Sequence, residues 1–256
     1  MATTAAFPAA LRAEFIKLRT LRSTAWTLAA ALTVTTGVGV MLSLLNRYAS
    51  APDGGEPLVD DPVFVSFSGM TLGQLAMILF GTLAVTGEYT SGMVRTSLQA
   101  VPDRALFLAA KTTAVGVTAL AAGLLTAGAA FFAGQAALGP YGTSLGEPGV
   151  ARAVLGACVY QALLAMFAVG AAMALRTALL SVGVLFPFFF LISPTLSLIP
   201  ATRDVAPYLP DAAGMLIMQV ESAPGPLGPW SGSAVMVLWV AAALAAGCLV
   251  LRGRDA

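Results

Sequence analysis

The sequence predicts an all-α integral membrane protein with six transmembrane helices, and three observations carry that prediction. Only 10% of the 256 residues are charged while 58% are apolar, against roughly 25% charged in an ordinary soluble domain, so a water-facing surface cannot be built. The charges leave long gaps, between Arg22 and Arg47, Asp61 and Glu88, Lys111 and Glu147, Arg152 and Arg176, Arg176 and Arg203, and Glu221 and Arg252. Each gap exceeds the ~20 residues that a membrane-crossing helix needs. The basic residues are also unevenly shared between the segments flanking these gaps. Within one transmembrane domain over 1–256, the spans fall near 25–46, 63–86, 105–134, 153–175, 178–199 and 233–251.

Orientation follows from the basic residues. With a cytoplasmic N-terminus, the inner segments hold Arg12, Lys17, Arg19, Arg22, Arg95, Arg104, Lys111, Arg176, Arg252 and Arg254, and the outer ones only Arg47, Arg152 and Arg203. The positive-inside rule selects this topology, and an even helix count then leaves both termini cytoplasmic. The first apolar run is too long for a signal h-region and is expected to stay in the mature chain. A net charge of +1 gives no support for nucleic acid as a partner.

Ahead of the first span, "LRAEFIKLRTLRS" (11–23) places Leu11, Phe15, Leu18 and Leu21 at helical spacing, with Arg12, Arg19 and Arg22 for the other side. This predicts an amphipathic interfacial helix opened by Pro8; a basic anchor that only holds orientation has the same pattern. The 47–62 segment, with Pro52, Gly54, Gly55, Pro57 and Pro62, reads as an outer loop. In the third span Ala119, Gly123 and Ala127 form a small-residue stripe suited to close helix approach in lipid. Pro187 and Pro194 interrupt the fifth span and predict a bend. Residues 201–230 are too polar for a hairpin, and "AAGMLIMQV" is too short to cross. One or two short outer helices are expected there, with Trp230 as an interfacial anchor.

Several chemistries are excluded or disfavoured. The chain has no histidine, which removes imidazole bases and His-ligated metal or haem. Neither lysine, Lys17 nor Lys111, stands in a GxxxxGK[ST] phosphate loop, so the chain is not expected to hydrolyse ATP and has no catalytic or metal residues to name. Spans read as charge-free argue against a proton pump or voltage sensor, and the lack of paired acids or ligand clusters argues against an intramembrane enzyme. Cys158 and Cys248 lie in predicted spans and read as apolar thiols. Ser66, Gln74, Tyr160 and Gln161 are the candidates for lining a cavity, with helix-to-helix hydrogen bonding as their alternative role.

Between the second and third spans, "TGEYTSGMVRTSLQAVPDRALFLAAK" (86–111) carries Glu88, Arg95, Asp103, Arg104 and Lys111. Thr90 or Ser91 is placed to cap a short helix with Val94, Leu98 and Val101 on one side, ended by Pro102. Periodicity alone leaves open whether 87–104 relays a push into the membrane or merely connects two spans.

The order Gly87, Glu88, Tyr89, Gly92, Arg95, Thr96, Leu98, Pro102, Arg104, Lys111 resembles the cytoplasmic segment of the ABC-2 type permeases, membrane subunits of bacterial ATP-binding-cassette exporters. The "KLRTLRSTAWTL" segment, the six spans and "YLPDAAG" look like that family too. Thr90 departs from the pattern, which places a basic side chain after the Glu-Tyr pair. The resemblance implies an exporter in the bacterial plasma membrane, built from two permease subunits, identical or different, and two ABC ATPase subunits that carry ATP and magnesium. It assigns Glu88, Tyr89 and Arg95 to an ATPase-coupling segment, and Lys17, Arg19 and Arg22 to the interfacial helix. The membrane-buried substrate expected from polar-poor spans is an amphiphile: a peptide, an antibiotic or a lipid-like molecule. A non-transporting scaffold or immunity protein is the alternative, and Glu88 as a charge at a helix N-terminus is the alternative for that residue.

Overall fold

The computed structural model describes residues 2–49, 61–220 and 225–253, and among them no strand forms. Six helices in these segments are long and apolar enough to cross a membrane: α2 (Arg22–Ala49), α4 (Met70–Ser91), α6 (Arg104–Leu138), α7 (Val150–Leu175), the broken helix α8 (Ala178–Pro187) with α9 (Ser193–Leu198), and α11 (Pro229–Gly253). Helix α1 (Ala2–Thr20) precedes them, and α3 (Pro62–Phe67), α5 (Met93–Ala100) and α10 (Pro210–Met215) are short.

Helices α4, α6 and α7 form the centre. Helix α2 packs across α4 and α6, α11 lies along α7, and α8 rests on α4 and α7. Because lipid is as apolar as leucine, burial alone does not hold such helices together, and close packing of small residues does the work. The Ala119, Gly123 and Ala127 stripe is buried, with Gly123 against the backbone of Cys158 on α7. Gly81 of α4 meets Ala165 and Ala168 of α7, and Gly170 of α7 meets Ala243 of α11, with Gly247 against Gly170 in return. At Gly81, Gly170 and Gly247 a side chain would overlap the neighbouring helix, and at Gly123 it would meet the Cys158 backbone in a tight contact.

Several expectations are refined. The 63–86 span is two helices, because the chain turns at Ser68 and Gly69 between α3 and α4. Asp61 caps α3, its Oδ1 accepting from the amides of Val63 and Phe64 at 2.9 and 3.0 Å. Pro8 does not open the N-terminal helix; α1 begins at Ala2 and runs through it, the flanking alanines being the strongest helix formers. Leu21 is not on the packed face either, since it sits in the break between α1 and α2 and is 43% exposed. The two prolines of the fifth span do bracket an irregularity, a π-helical turn over Phe188–Ile192. The 201–230 stretch holds short turns at Pro200–Thr202, Ala206–Tyr208 and Leu216–Met218 beside α10. Most of the 47–62 loop lies outside the described residues.

The two ends of the bundle differ in charge. Arg104 Nη1 donates to the carbonyls of Leu251 and Arg252, and Arg176 Nη2 to that of Val250 at 3.1 Å. These contacts draw the start of α6 and the end of α7 onto the last turn of α11, whose carbonyls lack helical partners. Arg12, Lys17, Arg19, Arg22, Arg95, Arg104, Lys111, Arg176 and Arg252 therefore share one end. At the other, Arg152 donates to the carbonyls of Ile217, Gln219 and Val220 at 2.9–3.2 Å, and Asp61 Oδ2 accepts from the Val220 amide at 3.0 Å.

Candidate functional site

At the basic end, four charged side chains meet in the protein interior. Lys17 Nζ lies 2.7 Å from Glu14 Oε1 and 2.7 Å from Glu88 Oε1; Lys111 Nζ lies 2.6 Å from Glu14 Oε2 and 2.8 Å from Glu88 Oε1. Both lysines of the chain are thus in one neutral cluster of two cations and two anions. Glu14, Glu88 and Lys111 are buried, and Lys17 is partly exposed. The Phe107 ring forms an apolar wall, 5.3 Å from Lys111 Nζ and 6.0 Å from Lys17 Nζ. Lys17 also donates to Ser97 Oγ of α5 at 3.2 Å.

The elements explain the convergence. Glu14 shares the inner face of α1 with Ala10 and Leu18, one helical turn away on either side, and that face packs on the start of α6. Glu88 is in the last turn of α4 and Lys111 in the second turn of α6, so the chain reversal through α5 brings them together. Gly92, with φ of 72°, makes the reversal: the left-handed conformation costs an L-residue about 1–2 kcal/mol and glycine little. Thr90 and Ser91 do not cap α5. Their hydroxyls donate back to the carbonyls of Thr86 and Gly87 at 2.9 and 2.8 Å, the bond such residues make inside a helix. Val94 is buried, and Leu98 and Val101 pack half-buried against the core.

Glu88 is also not a charge at a helix N-terminus. It stands at the C-terminal end of α4, where the helix dipole disfavours a carboxylate, and the two lysines compensate it. Its second oxygen, Oε2, is buried without a hydrogen-bond partner. Burial alone pulls the Lys17 pKa down, but its hydrogen bonds to Glu14 and Glu88 outweigh this and leave it raised above 10.5.

The other residues singled out from sequence divide. Tyr89 turns toward the end of α7, its hydroxyl 3.7 Å from Met173 Sδ and its ring 5.8 Å from the Arg176 guanidinium. Arg95, Arg19 and Arg22 are exposed around the cluster. Glu14 and Lys111 escaped the sequence assignment of the coupling site. Their signals were a carboxylate on the apolar face of an amphipathic helix and an ammonium inside an apolar span, which is costly and marks a site by default. Lys111 also corrects the reading of the spans as charge-free.

The four cavity candidates are all buried in helix contacts. Tyr160 Oη donates to Gln74 Oε1 at 2.7 Å, joining α7 to α4, and Gln135 Nε2 donates to Ser66 Oγ at 3.0 Å, joining α6 to α3. Gln161 is on α7 with Oε1 unpartnered. Both cysteines are free, Cys158 buried and Cys248 half-buried. No protein-family model matches the chain, and no curated protein matches it either.

Proposed function

We propose that the chain is the membrane subunit of an ATP-binding-cassette exporter, working with a separate ATPase and a second permease subunit that is either a copy or a relative. The observation that carries this reading is the buried four-charge cluster, because it clamps α1, the end of α4, α5 and the start of α6 into one unit bordered by exposed arginines. Separating opposite charges at a low effective dielectric is expensive. A push on α1 or α5 from outside the membrane is therefore passed to α4 and α6 rather than dissipated in the connector.

The rest of the reading is consistent with that core. On this reading ATP and magnesium belong to a partner chain, in keeping with a sequence that holds no GxxxxGK[ST] loop. Nine of the chain's 13 basic residues at the cluster end favour that end as cytoplasmic, in a bacterial plasma membrane with the N-terminus inside. The apolar spans suit an amphiphilic cargo.

The test is purification of the tagged chain in mild detergent, with identification of what accompanies it. A co-purifying P-loop ATPase, lost on Arg95→Glu and Arg19→Glu, supports the reading. Intact complexes without any ATPase would overturn it in favour of a non-transporting scaffold or immunity protein.

A further inference from the structure

Opposite the charge cluster, an open cavity of about 710 Å³ lies against the segment that joins α9 to α10, within the range of roughly 300–1,000 Å³ that holds small ligands. Arg203, Asp204, Tyr208 and Ser197 supply its polar lining, and Leu216 and Leu227 are among its apolar walls. Arg203 and Asp204 are exposed, and neither takes part in an ion pair among the described residues. The surface beside it is apolar: Leu198 is 83%, Val205 62% and Trp230 73% exposed. A charged pair set beside bare apolar side chains at the end of a membrane-crossing bundle stands where lipid headgroups meet acyl chains.

We propose that this cavity binds the headgroup of a zwitterionic phospholipid, with Arg203 on the phosphate and Asp204 and the Tyr208 ring on the ammonium. A guanidinium is matched to phosphate oxygens, and an ammonium is held by a carboxylate and by an aromatic face. A lone arginine would draw anionic lipid; the neighbouring aspartate makes the site neutral overall and selects a headgroup carrying both charges. The acyl chains leave along Leu198 and Val205. The inference requires only that the chain crosses a bilayer and is independent of the exporter reading.

The test is native mass spectrometry of the full chain in mild detergent, titrated with phosphatidylethanolamine or phosphatidylglycerol of identical acyl chains. The wild-type chain is expected to prefer phosphatidylethanolamine. Arg203→Ala should weaken that binding about tenfold, the scale of one charge-assisted hydrogen bond. Asp204→Asn should reverse the preference toward phosphatidylglycerol, and Ala212→Phe, which fills the cavity from α10, should reduce binding of both. Because Arg203 and Asp204 are exposed, their replacement leaves the fold intact. Equal binding of the two lipids by the wild-type chain, or unchanged binding after Arg203→Ala, would overturn the proposal. Competition by free glycerophosphoethanolamine as strong as by the whole lipid would overturn the lipid assignment.

Discussion

Glu88 and Lys111, separated by 23 positions, meet at 2.8 Å in the interior where α4 ends and α6 begins. Neither has water to fall back on, so each depends on the other and on the second pair, Glu14 and Lys17. Glu88→Gln leaves two lysines facing one carboxylate, and Lys111→Met leaves two carboxylates facing one lysine. Each single change is expected to cost about 3–5 kcal/mol, the usual penalty for an uncompensated buried charge. The double variant restores neutrality and should lose clearly less than the sum. Thermal unfolding in detergent of all four proteins measures this, and additive losses would show that the cluster does not act as a unit.

Lys17 makes the docking of α1 sensitive to alkali. Its folded-state pKa is raised above the ordinary 10.5, so its contribution is fully present below that value and is lost as pH rises through the folded pKa. Helix α1 should stay docked across the neutral range and loosen only in strong alkali. The reactivity of a cysteine placed at the buried Ala10 reports this, and Lys17→Met should remove the alkaline step. A step near neutral pH would contradict the assignment.

Asp211 carries the opposite kind of cost. Burial raises its pKa above the ordinary 3.8, against the lowering effect of its 2.6 Å hydrogen bond from Ser193 Oγ and of backbone bonds. The folded state therefore binds its proton more tightly than the unfolded chain. Stability from this group is greatest below 3.8 and falls as pH rises through the folded value. Asp211→Asn keeps an acceptor for Ser193 and should raise the melting temperature at pH 7, with the advantage shrinking toward pH 4. A variant less stable at pH 7 than at pH 4, relative to wild type, would refute this.

Two glycines inside helices separate packing from propensity. A side chain at Gly170 would overlap Ala243 and Leu244 of α11, whereas at Gly128 nothing lies within 4 Å. Gly170→Val should destabilise by about 1–3 kcal/mol or more through overpacking. Gly128→Ala should be neutral or stabilising by roughly 0.5–1 kcal/mol, since alanine favours the helix. Melting temperatures in one detergent compare them directly.

The six membrane-length helices were legible in the sequence because a bilayer imposes a one-dimensional rule, about 20 apolar residues between charges, that needs no knowledge of neighbours. The proline-bracketed turn at 188–192 and the inward face of Val94, Leu98 and Val101 were legible for the same reason: proline geometry and helical period act locally. What escaped was decided by contact between distant segments. Thr90 and Ser91 have capping side chains by type, yet α4 continues through them and Gly92 makes the turn. Glu14 reads as one charge among the basic residues of an amphipathic helix and Lys111 as an isolated charge in an apolar stretch, and their tolerance is visible only when residues 97 positions apart stand 2.6 Å from one another. Likewise Gly128 and Gly170 are the same residue in the same kind of helix, and only the helix opposite distinguishes them. The chain alone determined that six segments are long and apolar enough to cross a membrane; the tertiary fold decided which charges survive inside, because a buried ion is stable only where a partner already waits.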